Sequence, residues 1–368
     1  MRVLMISKAC LVGAYQTKLE EIAHYDDVAL SVIVPPSWDD PAGPVLLEKK
    51  HTTGYTLWVE PIRFNGRYHL HYYPTLKKRA AEIKPDIVHI DEEPYNLATW
   101  LAMRQANAVG AKTLFFSWQN LKRTYPPPFR QIEAQVLQGV NAAIMGNNDA
   151  VHVWQNKGYH GRYHVIPQFG IDPTIFKPPA KRDKKRGFII GSANRRLVPE
   201  KGEDLLLKAA ADLPGIWQLH IAGDGPARPG LEQLAQDLGI ANRVHFDGII
   251  PSTDIATYLQ QMDVLVLASR TRPNWKEQFG RILVEAMACE TAVIGSDSGE
   301  IPNVIAQAGL IFPEGNVAAL HAQLKKLIQS AHLRDALGQA GRQRVLGKYT
   351  QAQIAAQTVA VYREIIKN

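Results

Sequence analysis

Two glutamates in the stretch NWKEQFGRILVEAMACE, residues 274–290, are candidates for binding a ligand that carries hydroxyl groups. Seven residues separate Glu277, in a predicted loop, from Glu285, inside an apolar run that predicts the start of a helix. Gly280 lies between them, where the free N–H groups of a first helical turn attract negative charge. Carboxylates accept hydrogen bonds from hydroxyls. A ligand with hydroxyls at both ends and negative charge in the middle, such as a sugar joined through a diphosphate to a nucleoside, therefore suits this stretch.

The competing interpretation is that both glutamates are solvated charges on a helix surface. The apolar neighbours of Glu285, Val284 and Ala286, disfavour that interpretation. Farther upstream, Arg196 and Lys201 come shortly before another predicted helix. Cations at a helix N-terminus are unfavourable unless an anion compensates for them, so this pair also indicates a bound phosphate.

The elements that position these residues follow from short apolar runs alternating with amphipathic stretches. Predicted strands in the first half are RVLMIS, VALSVIVP, DIVHI, KTLFFS and AAIMGN, and in the second half RGFIIGS, WQLHIAGDGP, RVHFDGII and DVLVLAS. Nearly continuous apolar strands that alternate with helices indicate parallel, doubly wound sheets. Such sheets bind ligands beyond the carboxyl ends of their strands, which is where the candidate residues fall.

The pattern therefore predicts an α/β protein with two Rossmann-like domains that face a cleft. The periodicity stops in VIPQFGIDPTIFKPPAKRDKKR, where four prolines and a basic cluster mark a domain connection. We expect an N-terminal domain over 1–168, a linker over 169–186 and a C-terminal domain over 187–349. A final amphipathic helix follows over 350–368.

The net charge of +7 raises the question of a polyanionic partner. Residues 166–186 alone carry six Lys/Arg against two Asp/Glu, more than half of that excess, mostly in the run KRDKKR. A solvated hinge is the favoured interpretation of this run, and peripheral contact with an anionic membrane stays open. No aromatic and basic motif of a known nucleic-acid module occurs, so we expect no nucleic-acid partner.

The remaining composition is that of a soluble globular protein. No stretch approaches the ~20 apolar residues that a membrane span needs. Cys10 and Cys289 lie far apart among apolar neighbours, which favours buried free thiols in a reducing cytoplasm. The twelve histidines show no metal-ligand spacing, so no metal site is expected.

From about residue 187 to 315 the sequence resembles the retaining, family-4 glycosyltransferases of the GT-B fold. The matching pieces are RLVPEKG, IAGDGP, VHFDGII, DVLVLASR, EQFGRILVEAMA with its paired glutamates, and AVIGSDSGEIPNVI followed by GLIFPEG. The glutamate pair alone is a weak signal, but the ordered set is specific. The resemblance implies a GT-B fold whose last helix crosses back to the N-terminal domain.

The resemblance also implies roles for particular residues. Arg196 and Lys201 would bind the diphosphate of a nucleotide-sugar donor, Glu285 its ribose, and Glu277 the transferred sugar. Backbone groups near the helix start would hold the sugar hydroxyls. The implied catalytic set is Glu277, Arg196 and Lys201, and the implied donor-binding set is Gly13, Arg196, Lys201, Gly223, Phe279, Gly280, Arg281, Ile282 and Glu285. No metal or other cofactor is implied besides the nucleotide sugar as co-substrate.

Three departures from the family pattern qualify these roles. Arg195 stands where relatives usually have glycine, so either arginine of the pair Arg195 and Arg196 is a candidate contact, with Arg196 favoured. Glu290 replaces a glycine after EAMAC, which we interpret as a structural variation. The strand FFS is followed by Trp118, Gln119 and Asn120, where relatives often carry a histidine. Gln119 can hydrogen-bond a sugar hydroxyl but cannot act as a base near neutral pH.

The N-terminal half offers candidates for binding an acceptor, each with an alternative. Gly13 favours close approach of a ligand to the backbone, or an ordinary turn from strand to helix. Asp91 and Glu92 follow a predicted strand, so they are candidates for acceptor binding together with Gln119, or simply complement a helix N-terminus. The stretch RFNGRYHLHYYP is consistent with acceptor contact, membrane contact or a solvated hairpin.

These observations predict a cytoplasmic hexosyltransferase that uses a UDP- or GDP-sugar, with a peripheral position on the inner membrane face left open. Its partners would be the nucleotide sugar and a glycan, lipid-linked or small-molecule acceptor. The alternatives are a nucleotide-sugar epimerase or phosphorylase of the same fold, and a nucleotide-sugar-binding protein that has lost turnover. The sequence does not specify the donor base, the acceptor or the oligomeric state.

Overall fold

The structure is a computed structural model, and it describes residues 1–41, 43–180 and 187–367. Contacts divide the chain into two units. The first unit comprises Met1–Gly170 and the segment from Gln351 onward, and the second unit comprises Ile171–Thr350. The basic run at 181–186, for which a hinge was predicted, lies outside the described residues.

The strands and helices follow one another in the predicted alternation. The strands are β1 Arg2–Ile6, β2 Ala29–Val34, β3 Ser37–Asp40, β4 Gly43–Leu46, β5 Thr56–Val59, β6 Ile87–Ile90, β7 Lys112–Ser117, β8 Ala142–Met145, β9 Arg162–Val165, β10 Phe188–Arg196, β11 Trp217–Asp224, β12 Val244–Gly248, β13 Val264–Leu267, β14 Ala292–Ser296 and β15 Leu310–Phe312. The α-helices are α1 Gly13–Ala23, α2 Leu76–Ile83, α3 Leu97–Ala108, α4 Phe129–Gly139, α5 Asn148–Gln155, α6 Glu203–Ala211, α7 Arg228–Asp237, α8 Ile255–Gln260, α9 Arg281–Ala288, α10 Ile301–Ile305, α11 Val317–Gln329, α12 Ala331–Lys348 and α13 Gln351–Lys367. Short 3₁₀ turns lie at Ala9–Leu11, Pro199–Lys201 and Ala241–Arg243.

Within the described part of the first unit, seven parallel strands form one sheet in the order β5-β2-β1-β6-β7-β8-β9. Successive side chains of β1 point to opposite faces, so Val3 and Met5 enter one apolar core and Leu4 and Ile6 enter the other. Both faces are thus covered, which explains why these strands are apolar almost without interruption.

The second unit repeats this plan. Among its described residues, six parallel strands lie in the order β12-β11-β10-β13-β14-β15. In β13, Val264 and Val266 pack into one core while Leu265 and Leu267 pack into the other. Because all strands of the sheet are parallel, the loops after β10, β11, β13 and β14 emerge at the same edge.

The chain ends on the first unit. Helix α13 packs beside α1, and its buried Ile354, Val359 and Tyr362 belong to the apolar core formed by one face of the first sheet. Tyr362 also shares a hydrogen bond with His89 of β6, with 2.6 Å between its hydroxyl and Nδ1. The predicted fold, two Rossmann-like α/β domains whose last helix returns to the first, is therefore confirmed.

The β3–β4 hairpin of the first unit was not predicted, and neither were the edge strands β5 and β9. Strands β3 and β4 form an antiparallel hairpin outside the main sheet, with Trp38 opposite Val45. Proline and acidic residues dominate this stretch, so its sequence lacks the apolar run of a buried strand. No helix within the described ranges is long and apolar enough to cross a lipid bilayer.

Candidate functional site

The structure brings Lys201 and Glu277 together at the carboxyl edge of the second sheet. The Lys201 ammonium lies 2.8 Å from Glu277 Oε2 and 4.9 Å from the centre of the Trp275 ring. Lys201 ends the 3₁₀ turn before α6, and Gly202 follows it with φ +77°. A Cβ at Gly202 would overlap the carbonyl oxygen of Ala268, so only glycine lets this turn approach the end of β13. The close approach fixes the position of Lys201.

Glu277 is held from two further sides. Ser269, directly after β13, donates its hydroxyl to Glu277 Oε2 over 3.0 Å. The backbone carbonyl of Glu277 accepts a hydrogen bond of 3.3 Å from the N–H of Glu300, which precedes α10. Gly299 packs so tightly on this carbonyl that any side chain there would overlap it. Two loops therefore meet at the buried carboxylate of Glu277, and a third packs on its backbone carbonyl.

Helix α9 begins directly beyond this carboxylate. Gly280, with φ +76°, forms its N-cap, and a glycine has no side chain that could cap the helix. The N–H groups of a first helical turn have no partner within the helix, and they attract an anion. The sequence predicted this helix start and the loop position of Glu277.

Glu285 lies one turn into α9 and is buried. Arg281 donates its Nε hydrogen to Glu285 Oε1 over 2.8 Å, which links one predicted site residue to another. Burial raises the pKa of Glu285, while the charge of Arg281 acts in the opposite direction. The other predicted residues of this segment lie beside it: Phe279 packs edge-on against Tyr349 with ring centres 5.7 Å apart, and Ile282 is partly buried against the apolar core.

Arg195 and Arg196 end strand β10, and both side chains are exposed. Neither arginine forms an ion pair within the described part of the chain. Arg196 pairs in register with Asp224, after an irregularity in the ladder between β10 and β11. Gly223, also on β11, packs against the carbonyl oxygen of Asn194, where a Cβ would collide with it.

Glu203 is a buried carboxyl group that sequence reasoning missed. It opens helix α6, two residues after Lys201, and accepts a hydrogen bond of 2.7 Å from the side chain of Asn194. Burial raises its pKa to about 7, although Asn194 and Lys201 act to lower it. The sequence signal that could have identified Glu203 is its position directly after the PEKG turn. Ser269 was likewise missed, although it ends the motif DVLVLAS.

Asp91 and Glu92 lie in the first unit, directly after β6, and both are buried. Asp91 accepts hydrogen bonds from Ser7 and from the amide of Gln168, the latter at 3.0 Å. Glu92 forms an ion pair with Lys8. Burial raises the pKa of Asp91, and its other partners only partly offset that effect. Burial also acts to raise the pKa of Glu92, but the charges of Lys8 and His71 outweigh it and bring the pKa to about 2.

The third carboxyl group of this cluster, Glu93, accepts hydrogen bonds from the Ser117 hydroxyl at 2.6 Å and the Trp118 N–H at 2.8 Å. Burial raises its pKa to about 7. Gln119, by contrast, is engaged in its own loop. Its side-chain amide donates to the carbonyl oxygen of Leu121 over 3.0 Å, so the structure does not place this amide among the three carboxyl groups.

Gly13 starts helix α1, and its N–H already has a partner. The carboxylate of Glu48 accepts this hydrogen bond at 3.0 Å, and Lys50 pairs with the same carboxylate at 3.1 Å. A phosphate at Gly13 would have to displace Glu48. Close approach of a ligand to Gly13 and an ordinary turn from strand to helix both stay predictions. In this structure the helix start binds the carboxylate of Glu48.

The departure at Glu290 has a backbone explanation. Glu290 follows α9 and adopts φ +57°, the left-handed conformation that helix ends usually assign to glycine. The side chain is therefore tolerated at this helix end at some conformational cost. Glu290 therefore occupies a backbone position that glycine would fill with less strain.

Both units are doubly wound α/β folds, and charged groups gather at the strand ends of the second. Residues 173–344 match a family model described as glycosyl transferases group 1. The predicted resemblance to the GT-B glycosyltransferases is thereby confirmed. The matched region contains every candidate residue of the second unit, from Arg196 to Glu285.

Curated relatives are glycosyltransferases by name. MMP alpha-(1->4)-mannosyltransferase from Mycolicibacterium hassiacum is 32% identical over 209 residues, which cover 55% of this chain and 48% of the relative. D-inositol 3-phosphate glycosyltransferase from Mycobacterium tuberculosis is 33% identical over 192 residues, which cover 48% of this chain and 38% of the relative. The alignments therefore span about half or less of the length of these relatives.

Solved structures share the fold along the whole chain. A glycosyltransferase from Rickettsia africae superposes with a TM-score of 0.77 at 19% identity and covers 100% of this chain and 99% of its own. Anabaena HepE in complex with UDP gives a TM-score of 0.74 at 17% identity, covering 99% of this chain and 100% of its own. At this level of identity the likeness establishes the fold alone.

Proposed function

We propose that this protein is a retaining glycosyltransferase that moves a hexose from a nucleoside-diphosphate sugar to a hydroxyl of an acceptor. The observation that carries the proposal is the Lys201–Glu277 pair at 2.8 Å, next to the start of α9 at Gly280. An ammonium group has three donors, so Lys201 can keep Glu277 and also bind a phosphate oxygen. The family match of residues 173–344 supports the same function.

The donor would be bound by charge at its centre and by hydroxyl contacts at its ends. Lys201, Arg196 and the first N–H groups of α9 would bind the diphosphate, since helix starts attract anions. Glu285 would accept hydrogen bonds from the ribose, and Glu277 from the transferred sugar. For Glu285 to do so, the ribose hydroxyls must share this carboxylate with Arg281.

The transfer itself would proceed with retention at the anomeric carbon. The bond between that carbon and the diphosphate oxygen breaks, and the acceptor oxygen forms its bond on the same face. The acceptor proton passes to the departing phosphate oxygen, so no side chain has to act as a strong base. Lys201, Arg196 and the α9 amides would stabilise the charge that develops on the diphosphate, which is usually the largest electrostatic contribution.

The names of structural neighbours suggest which donor to test first. Solved structures of Anabaena HepE are described as complexes with UDP and with UDP-glucose. A uridine nucleotide is therefore our first choice of donor, with GDP-sugars second. We propose further that transfer needs no metal ion, so that addition of EDTA leaves turnover unchanged.

Two measurements test this function. Thermal unfolding with UDP, GDP and ADP should identify the base, because a ligand at a hundred times its Kd stabilises a protein by about 2.7 kcal/mol. The matching sugar nucleotides, incubated with mixed glycans and glycosides, should then release nucleoside diphosphate only when an acceptor is present. Binding of no nucleoside diphosphate, or transfer with inversion, would contradict the proposal.

A nucleotide-sugar-binding protein without turnover is the second candidate, favoured by the engagement of Gln119 within its own loop. Such a protein would bind the nucleotide in calorimetry but transfer sugar to no acceptor. An epimerase would instead convert the nucleotide sugar alone to its epimer, and a phosphorylase would need inorganic phosphate. Product analysis by mass spectrometry and NMR separates these outcomes.

A further inference from the structure

A pocket with a volume of about 310 Å³ lies entirely within the first unit. It opens at the carboxyl ends of β1, β6 and β7, the edge at which parallel sheets bind ligands. Its size is at the lower end of the roughly 300–1,000 Å³ that small-molecule sites occupy. Its lining includes the charged groups after β1 and β6 and several aromatic rings, among them Lys8, Trp38, Tyr68, Glu92, Glu93 and Trp118.

The aromatic part of the lining is arranged around Lys8. The Lys8 ammonium lies 5.3 Å from the centre of the Trp38 ring and 5.7 Å from the centre of the Tyr68 ring. These two rings meet edge-on, with centres 5.1 Å apart. Aromatic faces offer apolar area with little conformational entropy to lose, and they suit the C–H face of a sugar ring.

The charged part of the lining is acidic. Asp91, Glu92 and Glu93 supply three carboxyl groups, against Lys8 as the one cation that lines the pocket among the described residues. Lys8 is already paired with Glu92. A second lysine, Lys18, is buried nearby, but its ammonium donates to the carbonyl oxygen of Gln168 at 2.8 Å and does not line the pocket.

A phosphate in this pocket would therefore meet three carboxyl groups against one lysine, Lys8, whose charge Glu92 already offsets. Glu92, whose pKa is about 2, is charged at neutral pH, and Glu93, whose pKa burial raises to about 7, is charged in part. Like charges in a partly buried site repel more strongly than in water. Hydroxyl groups, in contrast, donate hydrogen bonds to carboxylates, and charge-assisted bonds of this kind are strong.

From this arrangement we infer that the acceptor is an uncharged, polyhydroxylated ring, and that the first unit discriminates against phosphorylated acceptors. The ring would stack on Tyr68, the aromatic side chain of this wall that is 44% exposed, and donate hydroxyl hydrogen bonds to the acidic side of the pocket. This inference rests on the proposed transferase function and specifies the chemical class of its acceptor. A free sugar and the terminal residue of a longer glycan share this chemistry.

Saturation-transfer NMR on the full chain tests the inference without requiring turnover. The probes are methyl α-glucoside, methyl α-mannoside, myo-inositol and maltotriose, each compared with glucose 6-phosphate, mannose 6-phosphate or an inositol phosphate. We expect saturation transfer to the ring protons of neutral probes, and at least tenfold weaker binding of the phosphorylated ones. Tighter binding of maltotriose than of the methyl glycosides would identify a glycan terminus rather than a free sugar as the source.

Two tyrosines of the first unit provide a matched pair of variants. Tyr68 lines the pocket and is 44% exposed, whereas Tyr163 on β9 lies outside it and is 42% exposed. Tyr68→Ala should weaken binding of the neutral probes about tenfold, and Tyr163→Ala should leave it unchanged. Both side chains are at the surface, so thermal unfolding should show both variants folded.

Three outcomes would overturn the inference: phosphorylated probes that bind as tightly as neutral ones, no saturation transfer to any neutral probe, or equal losses in the two tyrosine variants. Nucleoside diphosphate binding is measured by calorimetry on the same samples. If the nucleotide binds and the sugar is transferred to a phosphorylated acceptor, the acceptor class is wrong and the transferase function stands. If no nucleotide binds, the proposed function itself fails.

Discussion

The candidate sites of the two units are built in different ways. In the second unit, backbone segments approach one another so closely that glycine is required, as where Gly202 meets Ala268 and Gly299 meets Glu277. In the first unit, the pocket is lined by side chains from segments far apart in sequence, such as Lys8, Trp38 and Gln168. The first arrangement restricts residue types within short motifs, while the second leaves each contributing segment almost unconstrained.

This difference explains why the second-unit site could be predicted from contiguous motifs and the first-unit pocket only in part, through Asp91, Glu92 and the stretch that contains Tyr68. A diphosphate is the same in every donor, so the loops that bind it can keep one backbone geometry. An acceptor varies in shape and charge, and side chains on loops can adapt to it without changing the sheet beneath. On the proposed function, the second unit therefore specifies the reaction class, and the first unit specifies what receives the sugar.

The largest effect is expected on turnover, when charged residues of the second-unit site are replaced. Lys201→Ala, Glu277→Ala and Arg196→Ala should each lower kcat by roughly a hundredfold or more, the scale of one lost transition-state contact. Initial rates of nucleoside diphosphate release measure this loss. Of the three residues, Lys201 and Glu277 contact each other, so their double variant should lose less than the product of the two single losses.

Lys208→Ala is the matched control, because Lys208 lies on α6, shortly after Lys201 in the chain, but pairs with Asp204 at 3.8 Å on the surface. It should keep nearly full activity. Equal losses for Lys208→Ala and Lys201→Ala would mean that general charge, rather than the pair with Glu277, drives the reaction. Additive losses in the Lys201 and Glu277 double variant would contradict their coupling.

The next largest effect is a loss of stability, and it tests whether the close approach of backbone segments at Gly202 shapes the site of the second unit. Gly202→Ala should destabilise the protein by about 3 kcal/mol, from left-handed strain together with overlap at Ala268. Gly239→Ala is its control, since Gly239 has φ +69° but no described atom lies within 4 Å of an added Cβ. It should lose only about 1–2 kcal/mol, the strain alone. Urea denaturation measures both, and equal losses would remove the argument from close approach.

The same contrast shows what the sequence could predict. Apolar periodicity gave the alternation of strands and helices in both units, and the motif around Gly280 located both Glu277 and Glu285 correctly on loop and helix. The β3–β4 hairpin was missed because its polar residues follow no strand pattern. Asp91, Glu92 and the stretch that contains Tyr68 were predicted as acceptor candidates, and both carboxyl groups and Tyr68 line the pocket beside the hairpin. Trp38 also lines this pocket, but no local pattern identified it.

A third prediction concerns how the free energy of unfolding depends on pH, through one carboxyl group with a raised pKa in each unit. Burial raises the pKa of Glu203 to about 7, so its neutral form stabilises the fold at low pH and this contribution is lost as the pH rises from about 4.5 to 7. Glu203→Gln should therefore gain up to about 3 kcal/mol over the natural protein above pH 7 and nothing below pH 4. Unfolding free energies from denaturant titrations between pH 4 and 8 give this difference.

Glu93→Gln should show the same sign with a smaller gain, because Glu93 is only partly buried and opens onto the pocket. Its pKa is also raised to about 7 by burial. Glu232→Gln, an exposed carboxylate paired with Arg228 at 2.8 Å, is the control and should show no dependence of this kind. A gain that falls with rising pH would refute the assigned shifts.

The smallest effect concerns two helix ends, one in each unit. Glu290 after α9 and Lys84 after α2 adopt φ of +57° and +49°, which glycine accepts without strain. Glu290→Gly and Lys84→Gly should each stabilise their unit by about 0.5–1 kcal/mol, since relief of left-handed strain exceeds the entropy that glycine adds to the unfolded chain. Lys78→Gly, inside α2, should instead lose about 1 kcal/mol, because glycine is unfavourable in a helix interior. A loss at Glu290 as large as that at Lys78 would mean that the glutamate side chain stabilises the helix end more than its backbone conformation costs.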